Sequence, residues 1–152
     1  MRTAATEEPF GSVLSFMRSL WAMDHALQTR SKRMESTLGV TGPQRLVIRV
    51  IGRMPSSAAG EIAKTLHVHP STLTGVLQRL EKRGFITRAL DPADKRRALF
   101  RLTELGEQLD ETKSHTVEAA VRRALRRVPD DVLATVHSVL ENVKRELDRD
   151  DA

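Results

Sequence analysis

The segment "LDPADKRRALF", Leu90 to Phe100, sets two carboxylates, Asp91 and Asp94, beside three consecutive cations, Lys95, Arg96 and Arg97. The chemistry this suggests is anion recognition, not bond making. A carboxylate two residues before an arginine suits the orientation of a guanidinium by a charge-assisted hydrogen bond, which is the role expected of Asp94 toward Arg96. An arginine held at the tip of a short loop is suited to a narrow minor groove, where the negative potential is enhanced. Just upstream, Pro70 to Arg83 reads as a helix. At roughly 100° per residue, Leu73, Val76, Leu77 and Leu80 share one face, and Ser71, Gly75, Gln78 and Lys82 lie opposite, flanked by Thr72, Thr74 and Arg79. These outward residues are small or hydrogen-bonding, as a helix entering the major groove requires. Gln78 can pair bidentately with adenine, the hydroxyls can meet base edges or phosphates, and Lys82, a turn later, is placed for the backbone. Arg88 and Arg101, on the runs flanking the loop, are candidates for phosphate contacts. Gly75 costs about 1 kcal/mol of helix propensity relative to alanine, which makes sense if the backbone must approach DNA closely at that point.

Charge placement supports a polyanion partner. Between Gly42 and Thr103 there are 12 Lys or Arg against 4 Asp or Glu, whereas the rest of the chain carries 13 against 16. A basic middle third gains affinity for nucleic acid by displacing counterions from phosphate. Aromatic residues make up 3% of the chain and tyrosine is absent, which disfavours single-strand or RNA recognition by base stacking. The absence of cysteine removes thiol redox chemistry, cysteine-ligated zinc and cysteine nucleophiles. The five histidines are scattered, and no glycine-rich phosphate loop or serine-histidine-acid set can be assembled. Neither an enzyme, a metal site nor a cofactor is therefore expected. Glu7 and Glu8 stand where a signal peptide needs basic residues, and no run of about 18 apolar residues occurs, so a cytoplasmic location without membrane contact is expected.

These residues need a scaffold. Residues 1–9 read as a loose tail. A helix is expected from Phe10, carrying Val13, Leu14, Met17, Leu20, Trp21 and Leu27, and ending at Gly39. "TGPQ" opens a second helix with Thr41 and Gln44 as a capping box and Leu46, Val47, Val50 and Ile51 as its buried stripe. Ser56 or Ser57 caps a short third helix, "HVHP" is a turn, and Gly84 closes the fourth helix, which gives a helix-turn-helix. "FITRAL" and "ALFRLT" form a two-stranded hairpin. A long helix is expected from Thr103 to about Val128 and a last one after Pro129. The expected fold is thus mainly α, a winged helix-turn-helix over residues 41–102. Helices at 10–40 and 103–150 carry apolar stripes for which a second copy of the chain is the natural cover. The alternative is that these helices pack on one another within one chain.

The stretch "GEIAKTLHVHPSTLTGVLQRLEKRGFITRALDPADKRRALFRLTELG" resembles the winged helix-turn-helix of the MarR family of bacterial transcriptional regulators, in its "STLTGVLQRLEKRGFI" helix, "DPADKRR" wing and "LFRLTELG" return. The resemblance implies a homodimer on a pseudopalindromic double-stranded operator, usually repressing, and released by a small aromatic or otherwise lipophilic anion. It assigns the wing's Asp-x-Arg to Asp94 and Arg96, and the reading helix to Ser71–Arg79. Two departures stand out. Many members have a basic residue where Gly75 stands, and a serine, threonine or aspartate where His69 stands. Histidine is the weaker cap, so a looser start to the reading helix is expected, along with a gain in thermal stability from His69→Ser. For an effector, Trp21 and His25, one turn apart, offer an aromatic wall and a hydrogen-bonding tip, with Met17 and Met54 as adaptable apolar surface. The competing reading makes Trp21 plain core. The competing function is a winged-helix adaptor that holds an acidic protein on the same basic surface.

Overall fold

Apolar residues recurring every three or four positions wind the chain into α1 (Gly11–Leu38). It ends where Gly39, at φ +76°, takes the left-handed conformation and its N–H donates to the Glu35 carbonyl at 2.9 Å. The computed structural model describes residues 11–149. The expected tail at residues 1–9 and the helix start at Phe10 lie outside the described residues.

Helix α2 (Gly42–Arg53) opens on the expected capping box. The Thr41 hydroxyl accepts from Gln44 N–H at 3.4 Å, and the Gln44 side chain accepts from Thr41 N–H at 3.1 Å. Its buried face is rotated from the expected stripe: Val47, Ile48 and Ile51 are buried together with Gln44 and Arg45, whereas Leu46 is 53% exposed. Val47 and Ile51 hold the expected places, Val50 packs against the core half-buried, and Arg45 is buried because its guanidinium has carbonyl partners inside the fold.

Two residues, β1 (Ser57–Ala58), then pair with a later strand. Neither Ser56 nor Ser57 caps α3 (Ala59–Leu66), because both are used before the helix begins. Ser56, at φ +66°, donates its N–H to the Phe100 carbonyl at 3.0 Å, and the Ser57 hydroxyl donates to the Met54 carbonyl. Ala58 occupies the cap position, so Glu61 alone serves that end, accepting from Ala58 N–H at 2.8 Å. His67, at φ +52°, stops α3, and Val68 N–H reaches back to the Ala63 carbonyl at 3.1 Å. Helix α4 (Pro70–Lys82) follows and is closed by Gly84 at φ +76°, with Phe85 N–H bonded to the Leu80 carbonyl at 3.0 Å.

Strands β2 (Ile86–Leu90) and β3 (Ala98–Leu102) pair antiparallel, from Ile86 opposite Leu102 to Leu90 opposite Ala98. With β1 on the other edge of β3 the sheet has three strands in the order β1-β3-β2, not the two expected. Helix α5 (Glu104–Glu111) starts on Thr103, whose hydroxyl accepts from Gly106 N–H at 3.1 Å. The single long helix expected from 103 to 128 is interrupted at residues 112–116, and the chain resumes as α6 (Val117–Leu125) and α7 (Asp130–Leu147). At the interruption the Arg45 guanidinium donates to the carbonyls of Leu109, Asp110 and Thr112, so the end of α5 is capped from α2. His115 then adopts a left-handed φ of +62°.

The chain divides into two compact units, one up to Val117 and one from Glu118. In the first, Ile48, Ile51, Ile62, Leu73, Leu80 and Ile86 are almost wholly buried and form the centre of one apolar cluster, closed at its edges by Phe85, Phe100 and Leu109. That cluster joins α2, α3, α4 and the sheet, so it sets the angle at which α4 and the hairpin are presented. In the second unit, Val132, Val136, Val139 and Leu140 of α7 are all more than two-fifths exposed. Among the described residues no helix is long and apolar enough to cross a membrane.

Candidate nucleic-acid interface

Helix α4 is anchored by Leu73, Leu77 and Leu80, with Val76 half-buried, which leaves Ser71, Thr72, Thr74, Gln78, Arg79 and Lys82 exposed. Its first turn is better held than a histidine cap predicts. His69 Nδ1 lies 3.2 Å from Ser71 N and 2.7 Å from the Ser71 hydroxyl, with His69 itself in an extended conformation. With Nδ1 accepting from Ser71 N–H, His69 is a working cap. The cap also engages Ser71, and the Thr74 hydroxyl donates to the Pro70 carbonyl at 2.9 Å. The Thr74 hydroxyl proton is therefore committed locally, whereas the side chains of Thr72, Gln78, Arg79 and Lys82 are exposed and have no hydrogen-bond partner among the described residues. Gly75 is in ordinary helical conformation, and a Cβ built there meets nothing within 4 Å. Nothing among the described residues requires glycine at that position.

The hairpin tip is built by its two acids. Asp91 Oδ1 accepts from Ala93 N–H at 2.9 Å and Asp94 Oδ1 from Arg96 N–H at 3.0 Å. Asp91 N–H bonds the Arg97 carbonyl at 2.8 Å, and Arg97 N–H the Asp94 carbonyl at 2.9 Å. Asp94 thus serves Arg96 through its backbone, not its guanidinium as the spacing suggested, because an aspartate in a tight turn reaches the amide two residues on more readily than a long side chain. Lys95 and Arg96 are exposed, and no hydrogen bond or ion pair within the described residues holds the Arg96 guanidinium.

Arg97 differs, lying 2.8 Å from Glu61 of α3. The Ala58 N–H and then the Arg97 guanidinium hold the Glu61 carboxyl below the usual glutamate range. The sign follows from that lowering. The pair is complete at neutral pH and is lost only as pH falls through the depressed value.

Arg101 Nε donates to the Ser56 hydroxyl at 2.6 Å. Arg101 stands opposite Thr87 and Arg88 opposite Phe100, so strand alternation places the two arginines on opposite faces of the sheet. At the hairpin base, Thr103 N–H bonds the Phe85 carbonyl at 3.1 Å and the Thr103 hydroxyl donates to the Gly84 carbonyl at 2.6 Å. A Cβ at Gly106 would collide with the Phe85 carbonyl oxygen, so this glycine permits the close approach of α5 to the end of α4.

The candidate effector residues are dispersed. Met17, Trp21 and His25 lie at one-turn intervals along α1, all exposed, and Trp21 at 67% is not core within this chain. Met54 sits at the end of α2, with the Thr65 hydroxyl 3.8 Å from its sulfur. Sequence reasoning overlooked Arg45, Arg49 and Glu61. Glu61 had a signal, standing three residues after the cap position. The two arginines had none, since arginine on an amphipathic helix ordinarily reads as surface.

A helix-turn-helix whose second helix turns a polar face outward, followed by a hairpin with a cationic tip, defines a winged helix-turn-helix protein. The MarR family model matches residues 38–97. The HTH-type transcriptional repressor Mb2911 of Mycobacterium bovis is 30% identical over 93 residues, covering 61% of this chain and 67% of that protein. The organic hydroperoxide resistance transcriptional regulator of Bacillus subtilis is 30% identical over 92 residues; the match spans 60% of this chain and 63% of that relative, less than two thirds of its length. In fold, the chain is similar to MepR of S. aureus, solved as a DNA complex, at a TM-score of 0.70 and 17% identity, covering 86% of this chain and 97% of that one. The chain belongs to the MarR family of transcriptional regulators. These relatives are regulators and not enzymes.

Proposed function

We propose that this chain is a sequence-specific double-stranded DNA-binding repressor, acting in the cytoplasm as a homodimer on a pseudopalindromic operator and released by a small aromatic or lipophilic anion. The observation that carries the reading is the pairing, on one compact unit, of an outward polar face on α4 with a structured wing whose Arg96 guanidinium has no partner among the described residues. In this reading Gln78, Thr72 and the oxygens of Ser71 and Thr74 meet base edges, with the Gly75 backbone close by. Arg79, Lys82, Arg88 and Arg101 meet phosphates, and Lys95 and Arg96 enter the adjacent minor groove. The similarity in fold to MepR, a protein solved in complex with DNA, supports the partner, and the repressor naming of the M. bovis relative supports the sign.

Dimerisation through residues 10–40 and 103–150, with 41–102 as the DNA-binding domain, is supported by apolar side chains left uncovered on both outer segments, among them Val13, Trp21, Val136 and Leu140. Met17, Trp21, His25 and Met54 would line an effector site completed only in the dimer.

The test is selection of bound duplexes from a random library, followed by titration of the selected site with wild type and Arg96→Ala. Arg96→Ala is expected to lower affinity at least tenfold with the oligomeric state unchanged, and candidate anions are expected to displace the wild type. Equal affinity of the two proteins would remove the wing from the mechanism. No preference among duplexes would overturn the reading.

A further inference from the structure

Of the three consecutive cations in the wing, Arg97 is the one whose side chain is tied to another described residue. Its Nη2 lies 2.8 Å from Glu61 Oε2, and the same oxygen accepts from Ala58 N–H at 2.8 Å. Ala58 is itself paired with Leu99 on β3. One carboxylate oxygen therefore joins the first turn of α3, the edge strand β1 and the point where the tip loop returns to β3. The Arg97 backbone closes that loop on both sides, through Asp91 N–H and the Asp94 carbonyl. The side chain is anchored where the loop's own hydrogen bonds converge.

We propose that Glu61 and Arg97 are a positioning pair: Arg97 is not a groove contact but a leash that fixes the attitude of the wing tip, and with it Arg96, relative to α4. The proposal rests on the DNA-binding reading above and adds to it a residue of α3 remote in sequence from the wing. It makes an unusual demand on sign. If Arg97 were a phosphate contact, Glu61 would compete with DNA for it. Neutralising Glu61 would then free a cation and remove an anion, so duplex affinity would rise and the salt dependence would steepen by about one counterion. A leash requires the opposite: loss of affinity with the salt slope unchanged.

Glu61→Gln separates the two, because glutamine keeps an acceptor for Ala58 N–H, as it does at the same position of a capping box, while the ion pair is lost. The experiment compares full-length wild type, Glu61→Gln, Arg97→Ala, Arg97→Lys and the double variant Glu61→Gln/Arg97→Ala. Selected-duplex affinity is read at several salt concentrations, and amide exchange of the wing is read in the free protein. Each of Glu61→Gln and Arg97→Ala is expected to weaken binding by about two- to fivefold, the range of an exposed ion pair. Their salt slopes should equal that of wild type, the double variant should be no weaker than either single one, and Arg97→Lys should restore part of the loss. In the free protein, exchange at Asp91 and Arg97 is expected to quicken in Glu61→Gln. Tighter binding with a steeper salt slope in Glu61→Gln overturns the proposal, as does unchanged wing exchange, whatever the DNA result. A wild type with no duplex preference, alongside quickened exchange in Glu61→Gln, locates the failure in the DNA-binding reading and not in the leash.

Discussion

Glycine at position 75 is a residue whose presence the fold does not explain. A methyl group there would meet open space, so alanine should gain helix propensity at no steric cost. Gly75→Ala is expected to stabilise the chain by about 1 kcal/mol, or roughly 2–4 °C in Tm by calorimetry. If the bare backbone is pressed against DNA, the same change should weaken binding to the selected duplex. An affinity left intact beside the raised Tm would show instead that the glycine is only a missing contact. His69 illustrates the converse case, a residue that looked poorly chosen until its partners were visible. With Nδ1 accepting from Ser71, replacement by serine exchanges one cap for another, and the stability gain expected from sequence loses its basis.

Among the elements, the join of α2 to α5 decides most. Arg45 is 2% exposed and reaches carbonyls at the end of α5, while Arg49, one turn on, meets both the backbone carbonyl of Asp110 at 3.0 Å and its carboxylate at 2.7 Å. Gly52, a further turn on, lets α5 approach closely, since a Cβ there would lie 2.5 Å from the Asp110 carboxylate. The three positions form one stripe of α2 devoted to the last turn of α5. Removing Arg45 would take the guanidinium from the Thr112 carbonyl, remove a second donor from the Leu109 and Asp110 carbonyls and empty a buried site. Arg45→Leu should therefore cost about 3 kcal/mol, roughly 10 °C in Tm. A thermal melt within about 2–3 °C of wild type would mean that water serves those carbonyls equally well. The short strand β1 belongs to the same scale: two residues pairing with β3 suffice to carry Ser56 to Arg101 and Glu61 to Arg97.

For the whole molecule, exposed apolar side chains pose the main physical problem: Val13, Trp21 and Met23 of α1 and, in the other compact unit, Val132, Val136 and Leu140 of α7 are each more than two-fifths exposed. The homodimer proposed above would cover them. Leu140→Glu is expected to shift sedimentation toward the monomer and to weaken operator binding by at least tenfold, since two half-sites about one helical turn apart are then no longer gripped together. Helical content should be unchanged, because the side chain is already 43% exposed within the chain. A variant that stays dimeric and binds as wild type would place the interface elsewhere.

Short-range physics made much of this protein legible beforehand. The 3.6-residue recurrence of apolar side chains located the helices, and Thr41 with Gln44 located a start. Gly39 and Gly84 located stops, and the polar side of α4 and the acidic turn of the wing were readable as surface features. All of these are settled within a few residues of backbone. Other features depend on groups that meet only after folding. Arg45 finds the Leu109 carbonyl 64 residues away, at the place where the helix that periodicity alone would have continued comes to an end. Ser57 became strand, not cap, because β3 offered it an edge, and Arg97 became an anchor because Glu61 was waiting on α3. Local pattern fixes which face of an element is apolar. It carries no record of which polar groups the folded chain brings within about 3 Å of each other, and those encounters decide which arginines are held and which have no partner among the described residues.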